Sequence, residues 1–184
     1  MRYLLVIVAA LAVAATSAVA SPPRVPATLD RRAGLELEVV RELNRVRTQR
    51  GLPALRLADG LRRAAVSHSR AMLQLGFFDH ASPDGTSFAD RIRRHYPDRG
   101  WAAWSVAETL FAAYPEVDAE AVVAAWLGSA PHRDIVLSPT WRELGVGVLE
   151  APFAPRAFGG RPTVVVTADF GSRAGSASRA GTSR

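Results

Sequence analysis

Cysteine is absent from the 184-residue chain. A disulfide scaffold, a Cys-ligated zinc finger, an iron–sulfur centre and a thiol nucleophile all need its sulfur, so all four are excluded. Lysine is absent too: the 23 basic residues are all arginine, which we read, with the abundant alanine, as coding bias rather than chemistry. No Gly-rich phosphate loop with its lysine, no Rossmann glycine fingerprint and no Gly-x-Ser-x-Gly nucleophile elbow is present. What remains is 48% hydrophobic and 22% charged, too apolar for a disordered chain. A domain of this size buries about 70% of its unfolded surface, enough for a core without a covalent staple.

The formal charge of +6 is spread unevenly. Residues 172–184 hold Arg173, Arg179 and Arg184 and no acid, and read as a disordered basic tail. Over 21–171, 19 arginines oppose 17 acids, an ordinary balance that gives little support to a polyanionic partner. No nucleic acid is expected. Residues 21–100 carry 15 arginines and 9 acids, and 101–171 carry 4 and 8, which reads as two solvated faces of opposite sign.

The first 20 residues have the form of an export signal. Arg2 supplies a basic start, residues 4–15 are an unbroken apolar run, and Ala18-Val19-Ala20 offers small residues for cleavage after Ala20. The run is short for a bilayer span of about 20 residues, so a secreted, extracellular protein with no stable membrane anchor is expected. Residues 21–33, rich in Pro, Arg and Ala, read as a linker.

From residue 34 the pattern becomes periodic. Leu35, Val39, Leu43 and Val46 mark one amphipathic helix ending near Gly51. Leu61, Ala65, His68, Met72 and Leu75 mark a second, with Asp59 as its expected N-cap and Gly76 at its end. Ser82-Pro83-Asp84-Gly85 is a turn, after which Thr86 or Ser87 caps a short third helix. A fourth is expected over 115–127, its early acids favoured by the helix dipole. Strand patterns occupy 106–111, 144–149 and 163–170, with 150–161 as a long hairpin loop. The fold class is α+β: a small, mostly antiparallel sheet covered by helices.

Only four histidines are available for chemistry. His68 lies on an apolar helix stripe and reads as a buried ring with its hydrogen bond satisfied. His95, in an Arg-rich segment, reads as exposed. His80 follows Phe77-Phe78-Asp79 and precedes a turn, so its ring stands at a loop mouth. His132 follows Ser129-Ala130-Pro131, a helix stop and restart, and faces open space. Glu108 sits in an apolar strand, where a carboxylate must find solvent or partners. Two imidazoles and a carboxylate form the ligand set of an open zinc site, but no local motif links these three; a hydrogen-bonded polar cleft is the other reading. Ser129, His132 and Asp134 lie on one helical turn and cannot form a Ser/His/Asp relay. Trp126 and Trp141 read as core; Trp101 and Trp104 either pack or wall a ligand groove.

Taken in order, these pieces resemble the SCP-like (CAP) superfamily of cysteine-rich secretory proteins, antigen 5 and pathogenesis-related proteins, in its bacterial, cysteine-free branch. The resemblance rests on Leu43-Asn44-Arg45-Val46-Arg47, Gly51-Leu52-Pro53-Ala54-Leu55, and Gly76-Phe77-Phe78-Asp79-His80 with Ser82-Pro83-Asp84-Gly85. It continues through Ala107-Glu108-Thr109, Ala125-Trp126, His132-Arg133, Gly145-Val146-Gly147-Val148 and Asp169-Phe170-Gly171. It implies a three-layer α–β–α sandwich over 34–171 with a central cleft of two histidines and acids, which in several members holds a divalent metal. His80, His132 and Glu108 fall on those positions, with Ser129, Asp84 and Thr109 lining the cleft. The second acid is lost near Ser129, Ala107 and Thr109 replace Gly and Asn, and Ile135 stands where Asn is usual. The resemblance implies three functions: a non-enzymatic module binding a divalent metal (zinc) or a small polar ligand, a metal-assisted hydrolase, or a lipid or sterol carrier. Partners are then a small polar ligand, a lipid or an extracellular protein, and a monomer is expected.

Overall fold

The structure, a computed structural model, describes residues 28–176. The signal segment and most of the expected linker lie outside them. In chain order the elements are β1 (Asp30–Arg31), α1 (Ala33–Gln49), β2 (Arg56–Leu57), α2 (Asp59–Leu75) and α3 (Phe88–Arg93). There follow β3 (Trp101–Ala113), α4 (Ala119–Gly128), α5 (Ala130–Val136), β4 (Glu143–Ala154) and β5 (Arg161–Ser176). The sheet runs β1-β4-β5-β3, antiparallel throughout, with β2 adding a short parallel pair to β4.

Strand alternation splits the core into two layers. Leu144, Val146 and Val148 of β4, with Val164, Val166, Ala168 and Phe170 of β5, meet Val39 and Leu43 of α1, Val122 and Trp126 of α4, and Val136 of α5. The opposite face carries Leu149 and Val165 against Met72 and Leu73 of α2, and a further cluster of Leu61, Ala64, Ile92 and Tyr96. The result is the expected α–β–α sandwich. On the α2 face β4 presents Gly145 and Gly147, where a Cβ would come within 2.0 Å of Arg62 N and 2.3 Å of Val66 N. The absence of side chains there lets the α2 backbone lie directly on the sheet.

Local signals explain the helix ends. Gly76 adopts φ 69° as the α2 C-cap, and the Ser87 hydroxyl accepts from Asp90 N at the start of α3. Asp59 is the first residue of α2 rather than its cap, its carboxylate bonded to Arg62 at 3.1 Å. The fourth helix starts at Ala119, later than expected, because Asp118 Oδ1 accepts from Ala121 N at 2.8 Å. His95 is half-buried rather than exposed.

The sheet is longer than the patterns suggest. Within the expected linker, Asp30 and Arg31 pair with Glu150 and Leu149, and Arg32 N donates to Val148 O at 3.0 Å. The expected 150–161 loop is shorter, since β4 continues to Ala154 through a bulge and buries Ala151 and Ala154. The tail does not begin at Ser172: β5 extends to Ser176 because Ser172 to Ser176 pair with Trp101 to Ser105 of β3.

Candidate functional site

β3 is a sheet edge, with α3 packed against it on the α2 side and α5 on the other. Glu108 projects from β3 on the α2 side and is buried. The chain leaving α2 at Gly76 passes Phe77, whose ring meets that of His68 edge-on at 5.7 Å. It then turns so that the Asp79 carbonyl accepts from His68 Nε2 at 2.9 Å. That bond places His80 over Glu108, and His80 Nδ1 lies 2.9 Å from Glu108 Oε1. Glu108 Oε2 accepts from the Arg91 guanidinium of α3, which also donates to the His80 carbonyl at 3.0 Å. His68 Nε2 lies 3.9 Å from Glu108 Oε1.

Electrostatics follow from this packing. Burial pushes the Glu108 pKa up, but the His80 hydrogen bond and the Arg91 charge outweigh it and hold Glu108 below the usual carboxylate range. The hydrogen bond and charge of Glu108 raise His80 above the ordinary imidazole value, against partial burial. Burial lowers His68 to about 4, so its ring is neutral. Asp169 of β5 stands opposite Glu108 in register, fully buried, with neither oxygen hydrogen-bonded among the described residues. Burial, then the Glu108 charge, raise it well above the usual range.

The remaining predicted residues fall in different places. His132 lies half-buried in the first turn of α5, which is held by Arg47 donating to Val136 O at 2.7 Å and Trp141 donating to Ile135 O at 2.9 Å. Burial lowers its pKa, and the His80 charge adds to the lowering, so the two rings act on each other electrostatically. Among the described residues no hydrogen bond joins His132 to His80 or Glu108. Ser129 sits half-buried between α4 and α5. Two lining assignments need correction. Asp84 is exposed and closes its own turn, accepting from Thr86 N at 2.9 Å. Thr109 is fully buried, on the sheet face away from Glu108, because neighbouring strand residues alternate sides.

The donor set fits a zinc ion poorly. Open zinc sites use three protein ligands, whereas both Glu108 oxygens are already bonded, leaving His80 Nε2 and His132. Among the described residues no group of three His, Asp or Glu side chains is arranged to hold a metal ion. Arg91 and Asp169 were missed in the sequence. Arg91 lies in an Arg-rich stretch that reads as solvated, while Asp169 carried the same signal as Glu108, an acid in an apolar strand.

Comparison with known proteins agrees with this fold. The family profile described as "CAP: Cysteine-rich secretory protein family" matches residues 40–167. Two curated relatives come from Bacillus subtilis (strain 168). The membrane protein YlbC is 31% identical over 61% of this chain and 31% of its own length. The protein YkwD is 30% identical over 63% and 43%. The chain thus spans less than half the length of either. Among solved structures, an extracellular protein containing an SCP domain from Bacillus anthracis is 25% identical with TM-score 0.57, covering 74% of this chain and 40% of that one. An outer surface protein of Borrelia burgdorferi shares the fold at TM-score 0.64 and 19% identity, covering 80% of this chain and 98% of that one. Among the described residues no helix is long and apolar enough to cross a membrane. With the profile spanning most of the chain, the protein belongs to the CAP family of cysteine-rich secretory proteins.

Proposed function

We propose that this CAP domain is an exported, non-enzymatic binding module whose cleft takes a small polar ligand through His80. One observation carries the reading: Glu108 is held between His80 Nδ1 and Arg91, so the opposite ring nitrogen of a 47% exposed side chain, unbonded among the described residues, can meet a ligand. A raised imidazole pKa beside a guanidinium favours a ligand with a carboxylate or another strong acceptor over a divalent cation. The outer-surface and extracellular neighbours support export. Titrating the protein with acetate and with inorganic phosphate, while following the backbone amides of residues 79–81 and 91 by NMR, tests the reading. A saturable shift that His80→Ala abolishes is expected. Zinc binding by calorimetry that both His80→Ala and His132→Ala eliminate would replace this reading with a metal centre.

The same pair also favours a second reading, a hydrolase, since a histidine oriented by a carboxylate is the geometry of a general base. It requires turnover of a peptide or ester panel faster than a His80→Ala control.

A further inference from the structure

The two sequence features left unused by the cleft, the Arg-rich segment and the exposed tryptophan beside it, come together at the start of β3. Trp101 is 40% exposed and lies seven residues from Glu108 along β3, about 23 Å at the rise of a strand. Here β3 and β5 form a two-stranded ribbon in which Trp101 faces Ser176 and Ala103 faces Ala174. Ala102, Ala103, Ala174 and Gly175 are exposed, so both faces of the ribbon carry only small groups beside the Trp101 indole.

Arginines are already arranged around that strip. The Arg173 guanidinium sits 4.8 Å from the Trp101 ring centre and 3.8 Å from that of Tyr96, and Arg93 lies 4.6 Å over Trp104. Trp104 in turn donates to Tyr96 O at 2.9 Å, which locks the aromatic platform to the α3–β3 connection. Arg63, Arg94 and Arg99 are exposed and form no ion pair among the described residues. The start of α2 lies against the end of α3, where a Cβ on Gly60 would meet His95 O at 2.3 Å, and Arg63 and Arg94 both act on the half-buried His95 at this seam. Of the four arginines in 93–104 and 172–176, Arg93 is bonded to Asp90 at 2.6 Å and Asp98 at 3.0 Å and Arg173 lies 3.6 Å from Glu143, which leaves Arg94 and Arg99 unpaired among the described residues.

We propose that this ribbon end is a binding surface for a linear acidic polysaccharide, with Trp101 stacking on a sugar ring and the surrounding arginines pairing with its carboxylates. The chemistry matches on both counts. The apolar C–H face of a pyranose covers an indole that otherwise stays half in water, and guanidinium groups bind planar carboxylates in a bidentate fork. Arg173, stacked on two rings and 3.6 Å from Glu143, is a fixed part of the platform, and the exposed Arg94 and Arg99 are the forks a ligand meets. The surface is separate from the His80 cleft and does not depend on what that cleft binds.

Polygalacturonate oligomers titrated into the purified protein by calorimetry test the proposal, with dextran and polyglutamate as controls. Saturable binding is expected that weakens steeply with added salt. Trp101→Ala should weaken it about tenfold, the equivalent of 1.4 kcal/mol. An Arg63→Gln, Arg94→Gln, Arg99→Gln triple variant should lose most of it while melting at the wild-type temperature. No binding to polygalacturonate at low salt, or unchanged affinity in the triple variant, overturns the surface. Equal affinity for polyglutamate, or an unaffected Trp101→Ala, overturns the polysaccharide as its occupant.

Discussion

Glu108 of β3 and Asp169 of β5 oppose each other on neighbouring strands, both buried, and of the two carboxyl groups only Glu108 is bonded to the guanidinium of Arg91. Two carboxyl groups so placed do not both ionise readily. Burial and the neighbouring charge leave Asp169 as the one that keeps its proton. A carboxyl whose folded pKa lies above its unfolded value weakens the fold as pH rises from the unfolded pKa toward the folded one. Asp169→Asn removes that loss, and its amide can donate to Glu108. Urea unfolding should therefore show the variant gaining on wild type as pH rises from 4 to 7. A variant that loses ground over that range would mean Asp169 is ionised and paired.

His80 reports on Glu108. Its raised pKa comes first from the hydrogen bond to Glu108, with the charges of Glu108 and Asp79 assisting. Glu108→Gln removes both raising contributions of Glu108 and leaves burial, which lowers the imidazole, ahead of the Asp79 charge, so His80 should titrate below its wild-type midpoint. In wild type the stabilisation from the raised imidazole is complete below that ordinary value and fades as pH climbs through the raised one. Following the His80 ring by NMR across pH 5 to 9 in both proteins decides it; an unmoved midpoint would show that the contact carries no charge.

His68 behaves oppositely. Burial lowers it to about 4, against the attraction of Glu108. The unfolded chain binds the proton first, so stability falls as pH drops from about 6.5 to about 4. Between pH 7 and 5 the loss should be roughly 2 kcal/mol, partly masked in wild type by the opposite slope of Asp169. His68→Gln, which keeps a donor toward Asp79 O, should flatten this dependence in urea titrations at the two pH values. A slope identical to wild type would rule out His68 as its source.

Arg91 holds the cluster together. Truncating one partner of a buried ion pair costs about 3–5 kcal/mol, because the other charge stays buried without its partner. Arg91→Met should lower stability by that order and also free the His80 loop, whose carbonyl it binds. Adding Glu108→Gln removes the orphaned charge, so the double variant should be more stable than Arg91→Met alone. Simple additivity of the two changes would show that the pair does not interact.

Elements with local signatures were legible in the sequence. The stripes of α1 and α2, the left-handed Gly76 and the Ser87 cap are all decided by a few neighbouring residues. His80 and Glu108 were singled out because each is chemically out of place in its segment and because the resemblance places both in one cleft, and the two side chains do meet at 2.9 Å. Strand ends were not legible, because Trp101 to Ala103 become strand only by pairing with residues more than seventy positions away. Arg91 escaped for the same reason: its partner lies on another element, and nothing in its Arg-rich surroundings marks it as buried. Asp84 and Thr109 were misplaced because adjacency to a site residue in sequence says nothing of which way a turn or a strand points.

The glycines of β4 set how closely α2, and with it the His68 and His80 end of the cluster, approaches the sheet. At Gly147 a Cβ would lie 2.3 Å from Val66 N, 2.5 Å from Ala65 C and 2.6 Å from Val66 Cα, all backbone atoms that no rotamer change can move. Gly147→Ala therefore forces the helix outward and stretches the bond from Ser69 Oγ to Gly147 O, now 3.0 Å. Overpacking of this kind costs about 1–3 kcal/mol, and here it should reach the upper end. The His68 ring signal should shift as well, since α2 carries it toward the Asp79 carbonyl. Gly34→Ala is the matched control: nothing lies within 4 Å of its Cβ, and in a helix the change should stabilise by about 0.5–1 kcal/mol. If thermal melts place both alanine variants on the same side of wild type, close helix–sheet contact is not what requires glycine at position 147.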